Sequence, residues 1–445
     1  MDDARTRFEP LSPWVATPED LRPRLEESLR ADVVVVGGGY TGLSAALALC
    51  QQGADVVLLE RDFAGSGASG RNAGHLTPTI GKDVPTLLRL FGRERAARLV
   101  RFADAAVEHT EETIRKHGIA CDYEATGNVL AAVHPKQVAR LARAAETARG
   151  LGAAVRFLPE GALRERGLPP AFHAGVMEER GGTLHPGRYV EGLRRAALAS
   201  GVRLFEGTPL QALERGPRVT ARCAHGAVTA DHAVLATNAW TPGLGRLLPR
   251  AVAALRVLLI ETEPLDADAR AALGWPGREG VYTAHEILES WRLTARDTLV
   301  GGSKMVRYAW GSALPDGPDP EALATIAGAF RARFPALREV PIVRYWGGWI
   351  AFTPDFLPRI GTLEAGGAGN VHYGLGYAGH GVAQATLMGE MLAARIQGRT
   401  HEAEPALRRR TFGWPPEPFR WAAAKVLNGA LSAVDRRTDR QIAGR

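Results

Sequence analysis

Short apolar runs that alternate with helical periodicity dominate the N-terminal part of the chain. Residues 33–36 are four consecutive valines, as in a strand that is buried on both faces. Leu43, Ala46, Leu47 and Cys50 then recur at helical spacing, and a second apolar run follows. The pattern predicts one βαβ unit over the segment ADVVVVGGGYTGLSAALALCQQGADVVLLER.

The rest of the chain continues this alternation in some parts and is rich in strands in others. Helical patterns occur over 93–116 and 135–150, with a strand pattern at 126–133 between them. A second helix and strand unit follows and ends in the apolar strand HAVLATNAW. Residues 250–345 carry strand patterns and one clear helix near 322–333. A final strand, glycine turn and helix come from NVHYGLGYAGHGVAQATLMGEMLAARIQG.

At 445 residues the chain exceeds the size at which a single hydrophobic core keeps growing, so two domains are expected. The βαβ unit and the later strand and helix units predict a discontinuous nucleotide-binding domain over 30–83, 184–249 and 346–400. The remainder predicts an inserted substrate domain over 84–183 and 250–345. The predicted fold class is therefore α/β with an added α+β part, a Rossmann-type domain carrying an antiparallel-sheet domain.

The C-terminal tail, residues 405–445, has the pattern of a basic amphipathic helix. Apolar residues recur near helical spacing at Phe419, Ala423, Val426, Leu427, Ala430 and Val434. Basic residues lie between or after them, at Arg420, Lys425, Arg436 and Arg437. Such a helix most often packs on its own domain, and the alternative is a peripheral contact with a membrane or a partner.

Composition is that of an ordinary soluble globular protein, with 45% hydrophobic and 23% charged residues. The net charge of +7 comes almost wholly from arginine, because only five of the 55 basic residues are lysines. The arginines are scattered among acidic residues, which argues against a nucleic-acid surface. No run of about 18 apolar residues and no signal-peptide pattern occurs, so we expect neither export nor a membrane-spanning segment.

The three cysteines, Cys50, Cys121 and Cys223, are far apart and lack CxxC spacing. They therefore indicate neither a zinc site nor a redox pair, and no metal site is predicted. An odd number of separated cysteines fits a reducing cytoplasm best.

Gly37, Gly39 and Gly42 form a GxGxxG motif directly between a predicted strand and a predicted helix. In this motif the first glycine allows the tight turn, the second lets a pyrophosphate approach the backbone, and the third lets helix and strand pack closely. Glu60 ends the second strand 18 residues after Gly42, where a carboxylate accepts a hydrogen bond from a ribose 2′-OH. The motif predicts a dinucleotide without a 2′-phosphate, which leaves NAD and FAD.

The stretch GSGASGRNAGHL, residues 65–76, distinguishes between these two nucleotides. A simple NAD dehydrogenase need only continue to its next helix after the acid, whereas here glycine-rich backbone follows at once. Small residues allow close approach and leave N–H donors free for a pyrophosphate and for the polar edge of a flavin. The stretch favours FAD, and the alternative is a flexible surface loop.

Five segments of the chain resemble a known family: DVVVVGGGYTGLSAALAL, GASGRNAGHL, LATNAW, GGWIAFTPDFLPRIG and GYAGHGVAQATLMGEMLA. Together, and in this order, they resemble the D-amino-acid oxidase (DAO) superfamily of FAD-dependent oxidoreductases over residues 30–400. Within it, the branch of γ-glutamylputrescine oxidoreductase-like proteins is the most similar. The resemblance is specific for the superfamily and much less specific for the substrate.

The resemblance implies FAD in an extended form, with its pyrophosphate at 37–42, its adenosine ribose at Glu60 and its flavin side near 69–75. It also implies that 376–382 bring a helix N-terminus to the pyrimidine edge of the flavin, where positive charge stabilises the anionic reduced form. The implied FAD-binding residues are Gly37, Gly39, Tyr40, Thr41, Gly42, Glu60, Arg61, Ala68, Ser69, Arg71, Asn72, Ala73, Gly74, His75, Leu210, Thr237, Gly379, His380, Gly381 and Val382.

Covalent relatives attach the flavin through a cysteine where this chain has Gly348, or through a histidine near Arg71, so the resemblance implies non-covalent FAD. The resemblance also implies an amine oxidoreductase. In such an enzyme flavin N5 accepts a hydride from the carbon next to an amine nitrogen, and the resulting imine hydrolyses to a carbonyl compound. The expected substrate is a small primary or secondary amine, with oxygen or another compound as electron acceptor. The alternatives are an amino-acid or aminophosphonate oxidase and, from another class, an RNA-directed flavoprotein.

His380 and His75 are the predicted catalytic residues, because each lies in a motif expected beside the flavin and a neutral imidazole can relay the amine proton. The alternative for each is a purely structural role. The residues predicted to contact the substrate are Trp349, Tyr377, Tyr282 and Arg292, the last as a clamp for a carboxylate or phosphonate.

Four further polar residues are weaker candidates. Lys304 lies close to the strand position at which the sarcosine oxidase branch carries an oxygen-activating lysine, but it does not align with that position, so a surface or domain-interface lysine is the alternative. Arg307 and Arg359 are other candidates for a carboxylate clamp. Asp355 is expected to organise the turn after Pro354.

Overall fold

Two large β-sheets organise the chain in a computed structural model that describes residues 6–244, 247–248, 250–363 and 368–443. In chain order the strands are β1 (Arg7–Glu9), β2 (Ser28–Val36), β3 (Val56–Leu59), β4 (His75–Leu76), β5 (Asn128–Ala132), β6 (Val155–Pro159), β7 (Ala174–Glu178), β8 (Gly182–Thr183), β9 (Arg203–Phe205), β10 (Ala212–Glu214), β11 (Val219–Arg222), β12 (Ala227–Leu235), β13 (Ala253–Thr262), β14 (Gly280–Thr283), β15 (Glu289–Leu293), β16 (Leu299–Ser303), β17 (Arg307–Tyr308), β18 (Ile342–Phe352), β19 (Arg359–Thr362) and β20 (Val371–Leu375). The helices are α1 (Tyr40–Gln51), α2 (Val84–Phe91), α3 (Arg93–Lys116), α4 (Val138–Arg149), α5 (Glu160–Glu165), α6 (Pro186–Ala199), α7 (Ala267–Leu273), α8 (Pro320–Arg333), α9 (Gly381–Ile396) and α10 (Phe419–Ala443).

The first sheet has the strand order β10-β11-β12-β2-β3-β9, with β20 beside β12 and β19 beside β20. Strands β20, β12, β2, β3 and β9 run parallel to one another. The four valines 33–36 are buried in this sheet, and α1 packs beside α6 and α9 on it. The predicted Rossmann-type domain is confirmed, including its βαβ unit.

The second sheet has the order β1-β18-β13-β16-β15-β14-β5-β7-β6, with β17 beside β13. Most neighbours in it are antiparallel, and the exceptions are β1 with β18 and β14 with β5. Its core includes Trp275, Trp291, Phe330 and Phe334, whose rings pack against one another. The predicted fold, in which a Rossmann-type domain carries a largely antiparallel sheet, is confirmed.

Two of the predicted helices correspond to α3 and α8 within two residues. The helix predicted over 135–150 begins later, at Val138, because a short 3-10 turn over Pro135–Gln137 precedes α4. Strand β18 crosses the predicted domain boundary at residue 346 and lies wholly in the second sheet. The domain ranges derived from the sequence stay predictions.

The C-terminal helix α10 packs on the second sheet and its loops through a face that the apolar pattern does not predict. Its inward residues are Arg420, Ala424, Asn428, Leu431, Asp435 and Asp439. Residues of the apolar pattern point outward instead, with exposed fractions of 66% for Phe419, 74% for Val426 and 54% for Val434. The reason is hydrogen bonding: the Asp435 carboxylate accepts from the backbone N–H groups of Glu286 and Ile287 at 2.9 Å each.

Within the described ranges, no helix is long and apolar enough to cross a membrane. The same part of the chain holds no group of three or more His, Cys, Asp and Glu side chains that could bind a metal ion. The three cysteines are free thiols.

Candidate active site

A cavity of about 680 Å³ lies between the two sheets. The segments that follow the carboxyl ends of β2, β3, β9, β12 and β20 all contribute to its wall, and β13 and β18 of the second sheet face them. Ligands of open α/β sheets bind at these strand ends. The volume lies in the range of sites for small molecules and cofactors.

The glycine turn between β2 and α1 leaves no room for side chains. A Cβ atom on Gly39 would lie 2.9 Å from Ser69 Oγ, and one on Gly37 would lie 2.8 Å from Ala236 O. A Cβ atom on Gly42 would lie 1.8 Å from Gly37 O, so this glycine packs α1 against the turn and, unlike the other two, does not line the cavity. Gly37 also has φ +107°, a conformation that favours glycine.

The N-terminus of α1 is open toward the cavity. Its N-cap residue, Gly39, has no side chain to cap it, the first turn contains no acidic residue, and Ser69 Oγ accepts only from Tyr40 N among the described contacts. Tyr40 and Thr41, its first two residues, line the cavity. Unpaired N–H groups and the helix dipole make such an end a site for phosphate groups.

Glu60 lies at the end of β3 with its carboxylate at the cavity wall. Its Oε2 accepts from Gly38 N at 2.6 Å and its Oε1 accepts from Asp62 N at 3.0 Å. Burial raises the pKa of this carboxyl. A carboxylate has about four acceptor positions, so these two bonds leave capacity for a ligand hydroxyl.

The glycine-rich stretch is an ordered part of the cavity wall. Ser69 Oγ accepts from Tyr40 N at 3.0 Å, and Asn72 Nδ2 donates to Ser69 O at 2.8 Å. Asn72 Oδ1 accepts from Gly74 N at 2.9 Å, which holds the turn before β4. The side chains of this stretch therefore bond to its own backbone and to α1, which fixes its shape beside the cavity.

His75 lies in β4 with its ring at the cavity wall. Its Nδ1 is 3.0 Å from Asn128 Oδ1, and Asn128 Nδ2 donates to Leu76 O at 2.9 Å. This orientation of the amide makes Nδ1 the protonated nitrogen, so Nε2 carries the lone pair. Nε2 is buried and has no hydrogen-bond partner among the described residues. Burial lowers the pKa of His75 to about 4, which keeps the imidazole neutral.

His380 lies at the N-terminus of α9, on the same cavity. Its Nδ1 donates to Ala378 O at 3.0 Å, so its Nε2 also carries a lone pair. Burial, together with the nearby charge of Lys82, lowers the pKa of His380. No side chain caps the first turn of α9 and that turn lacks acidic residues, so the helix end adds positive potential at this point.

The structure brings together all the residues predicted to bind FAD except Gly42, which supports the turn from behind. In addition to those described above, the cavity wall contains Arg61, Ala68, Arg71, Ala73, Gly74, Leu210, Thr237, Gly379, Gly381 and Val382. Their contacts with a cofactor stay predictions.

The predicted substrate residues divide into two groups. Tyr377 and Tyr282 line the cavity; the Tyr377 hydroxyl is 2.6 Å from Thr41 Oγ1, and the Tyr282 hydroxyl bonds to the Glu178 carboxyl. Burial raises the pKa of Glu178 to about 8, so this carboxyl is protonated at neutral pH. Trp349 does not line the cavity: its neighbours Gly348 and Ile350 do, and side chains alternate between the two faces of a strand.

Arg292 does not line the cavity either. Its Nε donates to Ala73 O behind the wall, and its guanidinium lies 5.4 Å from the centre of the Trp14 ring. Burial lowers the pKa of Arg292 to about 10, so it stays charged. It faces a separate cavity of about 70 Å³, and the structure therefore does not place it as a clamp for the substrate.

The weaker candidates are bound elsewhere, with one exception. Lys304 forms ion pairs with Glu289 and Asp439 at 2.9 Å each, and none of these three residues lines the cavity. Asp355 pairs with Arg409 and accepts from Leu357 N at 3.4 Å, as a turn residue does. Arg359 donates to Phe412 O outside the cavity. The exception, Arg307, does line the cavity and pairs with Asp319 at 2.8 Å.

Sequence reasoning missed a set of cavity residues on α10. They are Ala424, Lys425, Leu427, Asn428 and Leu431. It also missed Lys82 and Glu286, which line the same part of the cavity. No local pattern marks these positions, because the contacts join segments that are far apart in the chain.

These observations fit FAD. Two helix ends whose N-cap residues make no side-chain cap, a carboxylate at the end of β3 and a buried Nε2 of His75 without a partner among the described residues all face one cavity. The first helix end and Glu60 would hold the pyrophosphate and the adenosine ribose, and the second helix end would lie at the flavin.

Replacing Glu60 by alanine is expected to weaken FAD binding by about 1.5–3 kcal/mol, the range for a hydrogen bond to a charged group. The measurement is FAD retention on dilution, followed by flavin fluorescence. Asp62, whose carboxylate pairs with Arg61 at the surface, gives the matched control Asp62→Ala. Wild-type affinity in Glu60→Ala would remove Glu60 from the ribose.

FAD is expected to leave the protein intact on acid precipitation. The two positions at which relatives attach flavin, Gly348 and Arg71, line the cavity but provide no thiol or imidazole. Yellow colour in the supernatant is the expected result. Colour that stays in the washed pellet would contradict non-covalent binding.

Comparison with known proteins agrees with this geometry. The sequence profile of a family described as FAD dependent oxidoreductase, DAO, matches residues 32–395. Gamma-glutamylputrescine oxidoreductase of Escherichia coli (strain K12) is 32% identical over 379 residues, which are 84% of this chain and 85% of that protein.

Two solved structures share the fold. Glycine oxidase from Geobacillus kaustophilus superimposes with a TM-score of 0.74 at 21% identity, over 86% of this chain and 100% of that chain. L-Proline dehydrogenase from P. horikoshii gives a TM-score of 0.72 at 22% identity, over 90% of this chain and 99% of that chain.

Proposed function

Because the chain belongs to the DAO family of FAD-dependent oxidoreductases, we propose that it oxidises an amine at the carbon next to the nitrogen, with a γ-glutamylated polyamine as substrate. Bound FAD supplies the hydride acceptor. The observation that carries the proposal is the pair of neutral histidines, His75 and His380, whose Nε2 lone pairs are available at one cavity.

The proposed roles of the residues follow from their protonation states. An ammonium group has no lone pair to assist a departing hydride, so the substrate nitrogen must lose a proton in the site. His380 Nε2 accepts that proton, or accepts a hydrogen bond that orients the amine. His75 Nε2 accepts a hydrogen bond from the cofactor or the substrate. The rings of Tyr282 and Tyr377 exclude water from the reacting carbon.

The charges at the α10 end of the cavity support an extended, polar substrate. Lys82, Glu286 and Lys425 line this end, so both signs of charge are present. A γ-glutamyl group carries a carboxylate, an amine and an amide, and such a wall is complementary to it. A small monoamine carries no anionic group to pair with Lys82 or Lys425.

An amino-acid or aminophosphonate oxidase is the second candidate. The structures with the same fold include glycine oxidase, which keeps this class of substrate open. Against it, Arg292, the main candidate clamp for a carboxylate, faces the other cavity, and Arg307, which does line this one, is already paired with Asp319. For an RNA-directed flavoprotein no feature of the site gives support.

Anaerobic bleaching of the bound FAD tests the proposal. The panel contains γ-glutamylputrescine, putrescine, glycine, L-proline and an aminophosphonate, and γ-glutamylputrescine is expected to bleach the flavin fastest. Bleaching by amino acids alone would favour the second candidate, and no bleaching by any amine would contradict the proposal. Comparing the rates of reoxidation by oxygen and by a quinone then identifies the electron acceptor.

The three free thiols support a reducing cytoplasm as the compartment.

A further inference from the structure

Helix α10 lies outside the part of the chain that the family profile matches, yet it forms part of the cavity. The match ends at residue 395, whereas α10 covers Phe419–Ala443. It contributes Ala424, Asn428 and Leu431 of its inner face, and the more exposed Lys425 and Leu427, to the wall. This part of the cavity wall is therefore built by a segment outside the family match.

Hydrogen bonds hold this wall against loops that line the same cavity. Asp435 accepts from the N–H groups of Glu286 and Ile287 at 2.9 Å, and Asn428 Nδ2 donates to Val306 O at 3.4 Å. Glu286, Ile287 and Val306 are themselves cavity residues. The position of α10 thus fixes the shape of the cavity at this end.

The side-chain oxygen of Asn428 receives no hydrogen bond from the described residues. This atom, Oδ1, is buried, although the side chain lines the cavity. Buried polar atoms are nearly always paired in native proteins, so an atom of this kind at a cavity marks a contact for a ligand.

We propose that α10 determines specificity for the end of the substrate remote from the reacting amine, with Asn428 Oδ1 accepting a hydrogen bond from an amide or ammonium N–H there. This inference rests on the proposed function, because it takes the cavity as the substrate site. A γ-glutamyl amide supplies the required N–H, whereas a simple alkylamine lacks it.

Calorimetric titration with γ-glutamylbutylamide tests the contact without turnover, because this compound keeps the amide and has no terminal amine to oxidise. Asn428→Leu is expected to weaken its binding to the FAD-loaded enzyme about fivefold to tenfold, the effect of one neutral hydrogen bond. Asn428→Asp keeps an oxygen acceptor and should retain binding, although it loses the donor to Val306. Val426→Ala, on the exposed face of α10, is the matched control.

The possible outcomes distinguish a failure of the proposed Asn428 contact from a failure of the proposed amine oxidation. Equal weakening in Asn428→Leu and Asn428→Asp would assign Asn428 a structural role through Val306, and wild-type binding in Asn428→Leu would overturn the contact. Failure of γ-glutamylbutylamide to bind to an enzyme that oxidises γ-glutamylputrescine would overturn the inference alone. Tight binding without oxidation of any amine would contradict the proposed function instead.

A different observation concerns the opposite face of α10. Large apolar side chains are exposed here, at 66% for Phe419, 74% for Val426 and 54% for Val434. Trp310 lies beside this face, with its ring 6.2 Å from that of Trp421, and is 55% exposed. We call the surface formed by Phe419, Trp421, Val426 and Val434 the outer face of α10.

The charges of α10 are divided between its two faces. Its two acidic residues, Asp435 and Asp439, both turn inward and bond to the domain. Arg436, Arg437 and Arg440 are exposed. The outer face therefore combines apolar side chains with positive charge and carries no acidic residue of α10.

We infer that the outer face of α10 binds the surface of an anionic lipid bilayer. Apolar side chains at this density insert at the headgroup boundary, and arginines beside them are attracted to anionic lipids. A neutral bilayer would satisfy only the apolar part of this surface, and an apolar protein partner would leave the arginines unpaired.

Cosedimentation of the FAD-loaded enzyme with vesicles tests the inference. We expect binding to phosphatidylcholine vesicles that contain phosphatidylglycerol, little binding to phosphatidylcholine alone, and about fivefold weaker binding for each arginine replaced in Arg436→Gln and Arg437→Gln. Val426→Glu should abolish binding, whereas Leu90→Glu, at another residue more than half exposed, should not. Binding that is equal in both glutamate variants, or absent from wild type, would overturn the inference. A dimer that Val426→Glu dissociates would assign the face to a second copy instead.

Discussion

Replacing His380 by alanine is expected to lower the rate of flavin reduction about 10²-fold or more, the lower range for one positioned proton-transfer group. His380 Nε2 is the acceptor at the cavity because Nδ1 is committed to Ala378 O. FAD should stay bound, since the glycine turn and Glu60 are unchanged in this variant. Anaerobic stopped flow with γ-glutamylputrescine measures the rate.

The pH profile gives a second readout for His380. The reductive rate should rise with pH, because hydride leaves only from the neutral amine. Burial and Lys82 lower the pKa of His380, so its own contribution to the profile should fall below pH 6.5, the ordinary value for histidine. In His380→Ala the contribution of His380 to the rise of the rate with pH should vanish, while the contribution of the substrate amine should remain.

A structural role for His380 predicts a different result. His380→Asn can keep the hydrogen bond to Ala378 O but has no basic nitrogen, so it should be as slow as His380→Ala if proton transfer matters. Wild-type rates and an unshifted limb in both variants would leave His380 as a structural residue. His75 would then be the residue to test.

The sequence predicts the nucleotide-binding part of the site well, because the relevant constraints are local. Gly37, Gly39 and Glu60 belong to one βαβ unit, whose geometry brings them to the carboxyl ends of two neighbouring parallel strands. Residues 65–75 follow at once, and the final glycine turn repeats the same strand, turn and helix pattern. The local spacing of each motif is therefore enough to predict where it lies in the fold.

The substrate part could not be predicted in the same way. The placement of Trp349 depends on the phase of β18, and a shift of one residue exchanges the two faces of a strand. Asn428 and Lys425 reach the cavity through contacts between α10 and loops far away in sequence. The apolar pattern of α10 even indicates the opposite face, since the face that packs on the domain is held largely by hydrogen bonds and ion pairs.

The ion cluster that anchors the end of α10 illustrates the same limit. Glu289 is fully buried in β15, between Lys304 at 2.9 Å and Arg333 at 3.0 Å. Asp439 of α10 pairs with the same two cations, at 2.9 and 3.2 Å. In the sequence these are four unremarkable charged residues, and only the tertiary fold makes them one network.

Replacing Glu289 by glutamine is expected to lower the free energy of unfolding by about 3–5 kcal/mol, because it leaves two cations in a buried site with one partner fewer. Urea unfolding of the FAD-loaded enzyme at neutral pH measures the loss. Glu286→Gln is the control in the preceding loop. The Glu286 carboxylate is half-exposed and makes only a long ion pair with Arg140, at 3.8 Å, so this substitution should change the free energy of unfolding by less than about 1 kcal/mol.

The dependence of this loss on pH identifies its cause. Burial alone would raise the pKa of Glu289, but Arg333 and Lys304 outweigh burial and hold it at about 2, below the ordinary value of 4.5. A depressed carboxyl pKa contributes stability that is fully present above pH 4.5 and is lost as the pH falls toward 2. The difference between wild type and Glu289→Gln should therefore shrink across this window. A difference that stays constant down to pH 2 would assign the loss to altered packing and not to the charge of Glu289.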